Sequence, residues 1–177
     1  KSKIALPFLY SRINHPNAEI FEKRFSLWNG SEEAAVFASG MATIATTCFA
    51  FLRPGDILLH SVPLYGGTED FFMHELKTSG IKITSFPAES GYAEIKKTAQ
   101  RACRQGSLRM IFIESAANPT NVLADIGACV KVAQEFSTRR RRAMTVVDNT
   151  FLGPLWLNPF QHGSDLVLYS ATKYIGG

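Results

Sequence analysis

Residues 168 to 177, Leu-Tyr-Ser-Ala-Thr-Lys-Tyr-Ile-Gly-Gly, place one lysine just after an apolar segment. Two hydroxyl residues precede Lys173 and two glycines follow it. An amine that is reachable, partly desolvated and held at a fixed distance can form a Schiff base with an aldehyde. The neighbouring hydroxyls and glycines would then serve a phosphate. The alternative is an ordinary lysine at the end of a strand, and this stretch alone leaves both interpretations open.

Asp148 is the second candidate, because it ends the apolar run of residues 145 to 147. A carboxylate in that position is costly to bury unless it has a cationic or hydrogen-bonding partner. A protonated pyridine nitrogen is such a partner, and keeping it protonated makes the ring an electron sink. Together, a lysine that can form a Schiff base and a carboxylate that can pair with a pyridine nitrogen favour pyridoxal 5'-phosphate (PLP) as cofactor. Asp148 could instead cap a helix or form a turn with Asn149 and Thr150.

Two glycine-containing turns add further candidates. Ser39-Gly40 comes before an apolar helix, whose first N–H groups would form an anion site. Tyr65 is followed by two glycines, so its ring can lie flat and stack on a heteroaromatic ring. Thr68 is a plausible cap for the helix that follows. A plain turn at Ser39-Gly40 and a tyrosine packed in a turn at position 65 are the alternatives.

The elements that would position these residues alternate between strands and helices. Strands are predicted at residues 34–38, 57–61, 81–86, 110–114, 144–147 and 166–169, and helices at 17–30, 41–52, 68–80, 92–105 and 126–137. This alternation predicts an α/β fold, a mostly parallel sheet flanked by helices on both faces. Ligands of such sheets gather at the carboxyl ends of the strands. Because the candidates follow predicted strands, we expect them to share one crevice.

Residues 1–16 show no sustained period and are predicted to form an N-terminal arm, with one domain over residues 17–177. Asn17 is the predicted cap of the first helix, and Gly30 is its predicted end. A stripe at helical spacing, Phe21, Phe25 and Trp28, is interpreted as core packing.

The bulk composition narrows the class of protein. With 177 residues, of which 46% are hydrophobic, the chain suits one globular domain and not a disordered one. Three separated cysteines form no CxxC pair, which favours a reduced, cytoplasmic setting without a disulfide framework. No signal peptide is recognised, and the longest apolar run, residues 41–52, is short of a membrane span. We therefore expect no membrane partner.

The basic run of residues 139–142 could be a nucleic-acid patch, since the net charge is +4. A solvated helix end is the alternative, and nothing else in the chain favours nucleic acid. No GxxxxGK[ST] loop or GxGxxG turn supports nucleotide binding. No HExxH motif or paired Cys/His cluster indicates a catalytic metal.

Six segments in unbroken order resemble the Cys/Met-metabolism PLP-dependent enzyme family. They are Tyr10-Ser-Arg12, Ser39-Gly40-Met41, Tyr65-Gly-Gly-Thr68, Ala117-Asn118-Pro119-Thr120, Val147-Asp148-Asn149-Thr150 and Ser170-Ala-Thr172-Lys173. The resemblance implies the large domain of PLP-dependent transferase fold type I, which is similar to that of aspartate aminotransferase. It also implies γ- or β-elimination or replacement on cystathionine, methionine or O-acylhomoserines, a transsulfuration-type reaction.

The resemblance also implies a role for each matching residue. Lys173 would form the Schiff base and shuttle protons, Asp148 would pair with the ring nitrogen, Tyr65 would stack on the ring, and Asn118 would bond its 3'-oxygen. The phosphate would lie on the N–H groups of Gly40 and Met41 and the hydroxyls of Ser170 and Thr172. Tyr10 and Arg12 would reach the phosphate of a neighbouring subunit, which implies a homotetramer built as a dimer of dimers.

Two departures from the family pattern bear on function. The smaller C-terminal domain, with the arginine that binds the substrate carboxylate, is not found in these residues. Methionine γ-lyases often carry cysteine two residues after the stacking tyrosine, where this chain has Gly67. The alternative function is a non-catalytic remnant that keeps only a PLP-binding cradle, and a gene continuing beyond Gly177 would favour the enzyme.

Overall fold

The computed structural model describes residues 10–139 and 141–176. The chain divides into two compact units, of which the first ends at Phe37 and the second begins at Ala38. Parts of three predictions lie outside the described residues: the arm over residues 1–9, Arg140 in the basic run, and Gly177 after the lysine. The division into an arm at 1–16 and a domain at 17–177 stays a prediction.

Helix α1 (Pro16–Asn29) dominates the first unit. Its cap is His15, whose Nδ1 accepts from the Asn17 N–H at 3.1 Å, so the predicted cap at Asn17 is wrong. Pro16 fits the first helical position because its missing N–H would have no partner there. Gly30, with φ 70°, ends the helix as predicted.

The aromatic stripe of α1 forms, but not as a core. Phe25 stacks on Phe21 with ring centres 5.5 Å apart and meets Trp28 edge-on at 5.9 Å. Phe21 and Trp28 are nevertheless exposed in this chain, so the interpretation as core packing is wrong. The predicted strand at 34–38 does not form either. The Val36 N–H instead donates to Glu22 Oε1 at 2.8 Å, so a side chain is its acceptor where a strand would use the carbonyl of a neighbouring strand.

The second unit is built on five parallel strands in the order β2-β1-β3-β4-β5. They are β1 (Asp56–Val62), β2 (Lys82–Pro87), β3 (Ser107–Glu114), β4 (Met144–Asp148) and β5 (Leu166–Leu168). All five were predicted within a few residues, and the parallel α/β fold is confirmed. Each crossover between them carries helical structure, as parallel pairing requires.

Helices cover both faces of the sheet. They are α2 (Gly40–Phe51), α3 (Gly66–Asp70) continued by a π-helical stretch (Phe71–Leu76), α4 (Tyr92–Ala102), α5 (Ile126–Phe136), and the short α6 (Gly153–Trp156), which a 3-10 turn (Pro159–His162) follows. Successive strand residues face opposite sides. Leu59 packs with α4 and α5, and Leu58 packs with α2 and the π-helical stretch. Both faces are therefore apolar, which explains the continuous apolar runs of the central strands.

The described residues of the basic run, Arg139, Arg141 and Arg142, lie between α5 and β4, so the interpretation as a helix end is wrong. Arg141 Nη1 lies 2.9 Å from Asp56 Oδ1, and Arg142 pairs with Asp165. Both arginines thus neutralise carboxylates that belong to the fold.

Among the described residues, no helix is long and apolar enough to cross a membrane. In the same part of the chain, no three His, Cys, Asp or Glu side chains come together to hold a metal ion.

Asp56 offers a stability test, because it is only 2% exposed and also accepts from the Arg53 N–H at 2.9 Å. We expect Asp56→Ala to lower the unfolding free energy by about 2–4 kcal/mol, since it removes the buried acceptor shared by the Arg53 N–H and the Arg141 guanidinium. Arg141→Ala should cost at most about 1 kcal/mol, because that side chain is half exposed and can be replaced by water. Urea denaturation of both variants measures the difference, and equal losses would contradict this account.

Candidate functional site

A cavity of about 240 Å³ opens at the carboxyl edge of the sheet, within the second unit. The start of α2 and the residues that follow or end β1, β3, β4 and β5 form its walls. Because neighbouring parallel strands end at the same edge, residues far apart in the sequence meet there.

The cavity brings together all of the predicted site residues that lie in the second unit. They are Gly40, Met41, Tyr65, Asn118, Asp148, Ser170, Thr172 and Lys173. The other two, Tyr10 and Arg12, lie in the first unit, where the Arg12 guanidinium carbon is 5.1 Å from the centre of the Tyr10 ring. The roles of these residues toward a ligand stay predictions.

The N-terminus of α2 forms one end of the cavity. Ser39 caps the helix, since its Oγ accepts from the Ala42 N–H at 3.1 Å. The N–H groups of Gly40 and Met41 therefore have no carbonyl one turn earlier in the helix. A Cβ on Gly40 would lie 2.8 Å from the Cβ of Ser170, so only glycine allows this close approach. Backbone N–H groups and a hydroxyl thus converge, as in an anion site.

Asp148 combines the two interpretations that the sequence left open. It forms a turn, because its Oδ1 accepts from the Thr150 N–H at 3.1 Å and from the Thr150 hydroxyl at 2.5 Å. It also lines the cavity, and its Oδ2 takes part in no hydrogen bond or ion pair among the described residues. Burial raises the pKa of Asp148, and the bonds from Thr150 oppose that rise. A cation in the cavity would stabilise its charged form.

The loops after β4 and β5 are joined by partly buried polar contacts. The Thr150 hydroxyl, which donates to Asp148, also accepts from the Ser170 N–H at 2.9 Å. Asn149 is fully buried; its Oδ1 accepts from the Ser115 hydroxyl at 2.7 Å, and its Nδ2 donates to the Leu157 carbonyl at 2.8 Å. Satisfied buried networks of this kind fix loop geometry. The position of Ser170 is therefore tied to that of Asp148.

Glu114 lines the same cavity, and the sequence reasoning missed it. It is the last residue of β3 and pairs in register with Asp148 on β4. Burial raises its pKa to about 7; two backbone hydrogen bonds oppose the rise, and the charge of Asp148 adds to it. A carboxylate that ends a buried apolar strand was the signal that singled out Asp148, and the same signal was present at Glu114.

Tyr65 is the N-cap residue of α3 and is 47% exposed at the cavity. Its ring lies over Gly67, because a Cβ on that glycine would be 2.7 Å from Tyr65 Cε1. Thr68, the predicted cap of the helix, is fully buried within the first turn, so that prediction is wrong. The chain enters the helix at Tyr65, three residues earlier, and Thr68 therefore points inward.

Lys173 lies in the turn after β5, where its N–H donates to the Ser170 carbonyl at 3.1 Å. Its side chain lines the cavity but is exposed, so the expected partial desolvation is not found in this chain taken alone. The amine is reachable from the cavity, which is the first requirement for a Schiff base.

Comparison with known proteins identifies the family. A family model described as Cys/Met metabolism PLP-dependent enzyme matches residues 2–177. L-methionine gamma-lyase from Pseudomonas putida is 38% identical over 168 residues, which cover 95% of this chain and 39% of that protein. Cystathionine gamma-lyase from Mus musculus is 33% identical over 171 residues, covering 96% and 40%. O-succinylhomoserine sulfhydrylase from Pseudomonas aeruginosa is 34% identical over 169 residues, covering 96% and 39%.

A solved structure shares the fold. The putative O-acetylhomoserine (thiol)-lyase of Campylobacter jejuni, which carries a pyridoxyl-lysine phosphate, superposes with a TM-score of 0.82 at 28% identity. The match covers 94% of this chain and 38% of that one. The parallel sheet of this chain is thus the fold of a PLP-dependent enzyme domain. The chain belongs to the Cys/Met metabolism PLP-dependent enzyme family, as its motifs predicted, and it spans about two fifths of the relatives it matches.

The raised pKa of Glu114 predicts a pH-dependent stability. Between its ordinary value of 4.5 and about 7, the folded protein holds a proton on Glu114 that the unfolded chain has lost. Stability relative to Glu114→Gln should therefore fall as the pH rises through this window, by roughly 3 kcal/mol in total. Asp148 is present in both proteins, so the part of its titration that does not depend on Glu114 cancels.

Urea denaturation of both cofactor-free proteins between pH 4.5 and 8 measures this difference. If the two unfolding free energies stay parallel across the window, Glu114 does not carry the raised pKa.

Proposed function

We propose that this chain is the PLP-binding part of an enzyme that eliminates or replaces the γ- or β-substituent of a sulfur amino acid or an O-acylhomoserine. The observation that carries the proposal is one cavity shared by the amine of Lys173, the open oxygen of Asp148 and the N-terminus of α2. Family membership and the lyases and sulfhydrylase among its relatives support this substrate class.

The residues in the cavity fit PLP chemically. Asp148 has an oxygen without a partner for the protonated ring nitrogen, and its raised pKa is what a buried carboxylate shows before a cation joins it. The ring of Tyr65 is free to stack, and the side-chain amide of Asn118 can donate to the 3'-oxygen. When bound, PLP supplies an electron sink for the carbanion formed at the substrate α-carbon.

Lys173 has two tasks in this proposal. Its ε-amine would hold the cofactor covalently, and the same nitrogen, when free, would take up the substrate α-proton and deliver a proton elsewhere on the substrate. The turn that carries Lys173 is bonded to Ser170 and therefore moves with the phosphate end of the site. The backbone of Lys173 is thus tied to the residue that offers a hydroxyl to the phosphate.

The phosphate end rests on Gly40, Met41, Ser170 and Thr172. The first two offer backbone N–H groups at the start of α2 and the last two offer hydroxyls, a donor set that suits a dianion. Ser170 is held by Thr150, so the hydroxyl side of the phosphate site is linked to the carboxylate that faces the ring nitrogen.

The proposed enzyme is an oligomer that acts in the cytoplasm. Tyr10 and Arg12 would bind the phosphate in a neighbouring subunit of a homotetramer built as a dimer of dimers. An exposed arginine fork beside a tyrosine suits that task. The amino-acid substrate would be handled in the cytoplasm, where the three cysteines stay reduced.

Gly67 distinguishes this chain from many methionine γ-lyases and therefore bears on the choice of substrate. The Tyr65 ring occupies the space that a side chain at position 67 would fill. A cysteine there, as in many methionine γ-lyases, would displace the ring. Activity of the complete gene product should therefore be compared on methionine, cystathionine and O-acylhomoserines. Binding of PLP without turnover of any of them would favour the non-catalytic remnant.

The first test is the absorption spectrum of the complete gene product with PLP, before and after borohydride reduction. We expect a yellow Schiff-base band and a covalent adduct on Lys173 after reduction. Lys173→Ala should lose both, while Lys131→Ala, a lysine on α5 outside the cavity, should keep both. A colourless wild-type protein that is folded by circular dichroism would rule out the proposed cofactor site.

Gly40→Ala tests the phosphate end. Its methyl group would press on Ser170 and separate the two sides of the anion site, so we expect PLP to bind at least tenfold more weakly, a loss of about 1.4 kcal/mol. Gly91→Ala is the matched control, because a methyl group there meets nothing within 4 Å and the residue lies at the start of α4. Titration with PLP measures both, and similar affinities for the two variants would contradict the assignment.

A further inference from the structure

Glu114 holds two loops of the cavity with one carboxylate. Its Oε1 accepts from the Tyr65 N–H at 2.6 Å, and its Oε2 accepts from the Asn118 N–H at 3.2 Å. Tyr65 follows β1 and Asn118 follows β3, so these bonds join segments that are far apart in the sequence. The side chain is only 5% exposed, so water does not compete for either bond.

The two loops carry the residues proposed to contact the cofactor ring. We propose that Glu114 is a positioning residue, which fixes Tyr65 and Asn118 relative to each other and so sets the ring-stacking and 3'-oxygen contacts together. This inference rests on the proposed function, since it concerns the same cavity.

The residue type fits this task. Two N–H donors converge on one side chain, so both of its atoms must accept. An ionised carboxylate has only acceptors, whereas the amide of glutamine would turn an NH₂ group toward one of the two donors. Hydrogen bonds to a charged acceptor are also the stronger kind. Glutamine therefore keeps the shape of Glu114 and breaks one of its two bonds.

The backbone anchor matters for Tyr65 because about half of its side chain is exposed. Gly67 beneath the ring has no side chain to pack against it. A small shift of the Tyr65 backbone would tilt the ring directly. The bond to Glu114 thus restrains the backbone from which the ring projects.

The hydrogen bonds of Asp148, the carboxylate next to Glu114, are arranged differently. Asp148 pairs with Glu114 in register, yet its two hydrogen bonds both fall on Oδ1 and leave Oδ2 open. Both oxygens of Glu114 are engaged by backbone amides. The geometry therefore separates the two acids, one for a cation in the cavity and one for the loops around it.

The experiment is a double-mutant cycle on the complete gene product, with the PLP dissociation constant as readout. Glu114→Gln should still form the adduct with Lys173 but bind PLP at least tenfold more weakly, with a shifted absorption band. In a Tyr65→Ala background the same substitution should weaken PLP binding less, because one of the two contacts that Glu114 positions is already gone and only the Asn118 contact remains. Glu69→Gln, an exposed acid on α3, is the matched control and should change neither value.

Equal losses from Glu114→Gln in the two backgrounds, or no loss in either, would overturn the positioning role. Because wild-type adduct formation is measured first, its absence would count against the proposed function and not against Glu114 alone. If Glu114→Gln does not fold, hydrogen exchange of the wild-type protein decides. The Tyr65 and Asn118 amides should be protected and should gain protection together when PLP is added, and independent behaviour would overturn the inference.

Discussion

Two carboxylates side by side at the buried edge of a parallel sheet are the constraint on which this site depends. Glu114 and Asp148 end adjacent strands in register, and burial raises the pKa of both. Like charges so close cannot both be ionised without strong compensation. The fold supplies that compensation unequally: backbone amides engage both oxygens of Glu114, whereas Thr150 engages one oxygen of Asp148. The loops of the cavity take their positions from these bonds.

Much of this arrangement could be predicted because it follows from local patterns in the sequence. Alternating apolar strands and helices specify a parallel sheet, and the parallel sheet dictates that strand ends share an edge. Lys173, Asp148 and Tyr65 each follow a predicted strand, so their meeting in one cavity required no knowledge of side-chain contacts. The six family motifs lie at this same edge or in the preceding unit, which is why motif and fold led to the same class of protein.

The errors have a common physical cause, which is that tertiary partners decided the outcome. Residues 34–38 have strand-like composition but no neighbouring strand, and a glutamate side chain takes the Val36 N–H. Thr68 has a capping side chain, but the chain enters the helix three residues earlier and buries it. Glu114 was treated as the end of a strand, because its two donors come from loops whose approach no local pattern reveals.

The charges of the cavity also explain why a cationic ring suits it. The described walls bring two acids together at the sheet edge, while the one lysine among the wall residues lies in the exposed turn after β5. A cation beside Asp148 would stabilise its ionised form and would offset the charge that raises the pKa of Glu114. An ionised Glu114 accepts from both loop amides at full strength. The charge state of the two acids and the positions of the loops at Tyr65 and Asn118 are therefore coupled. A single ligand that carries a positive charge would influence both.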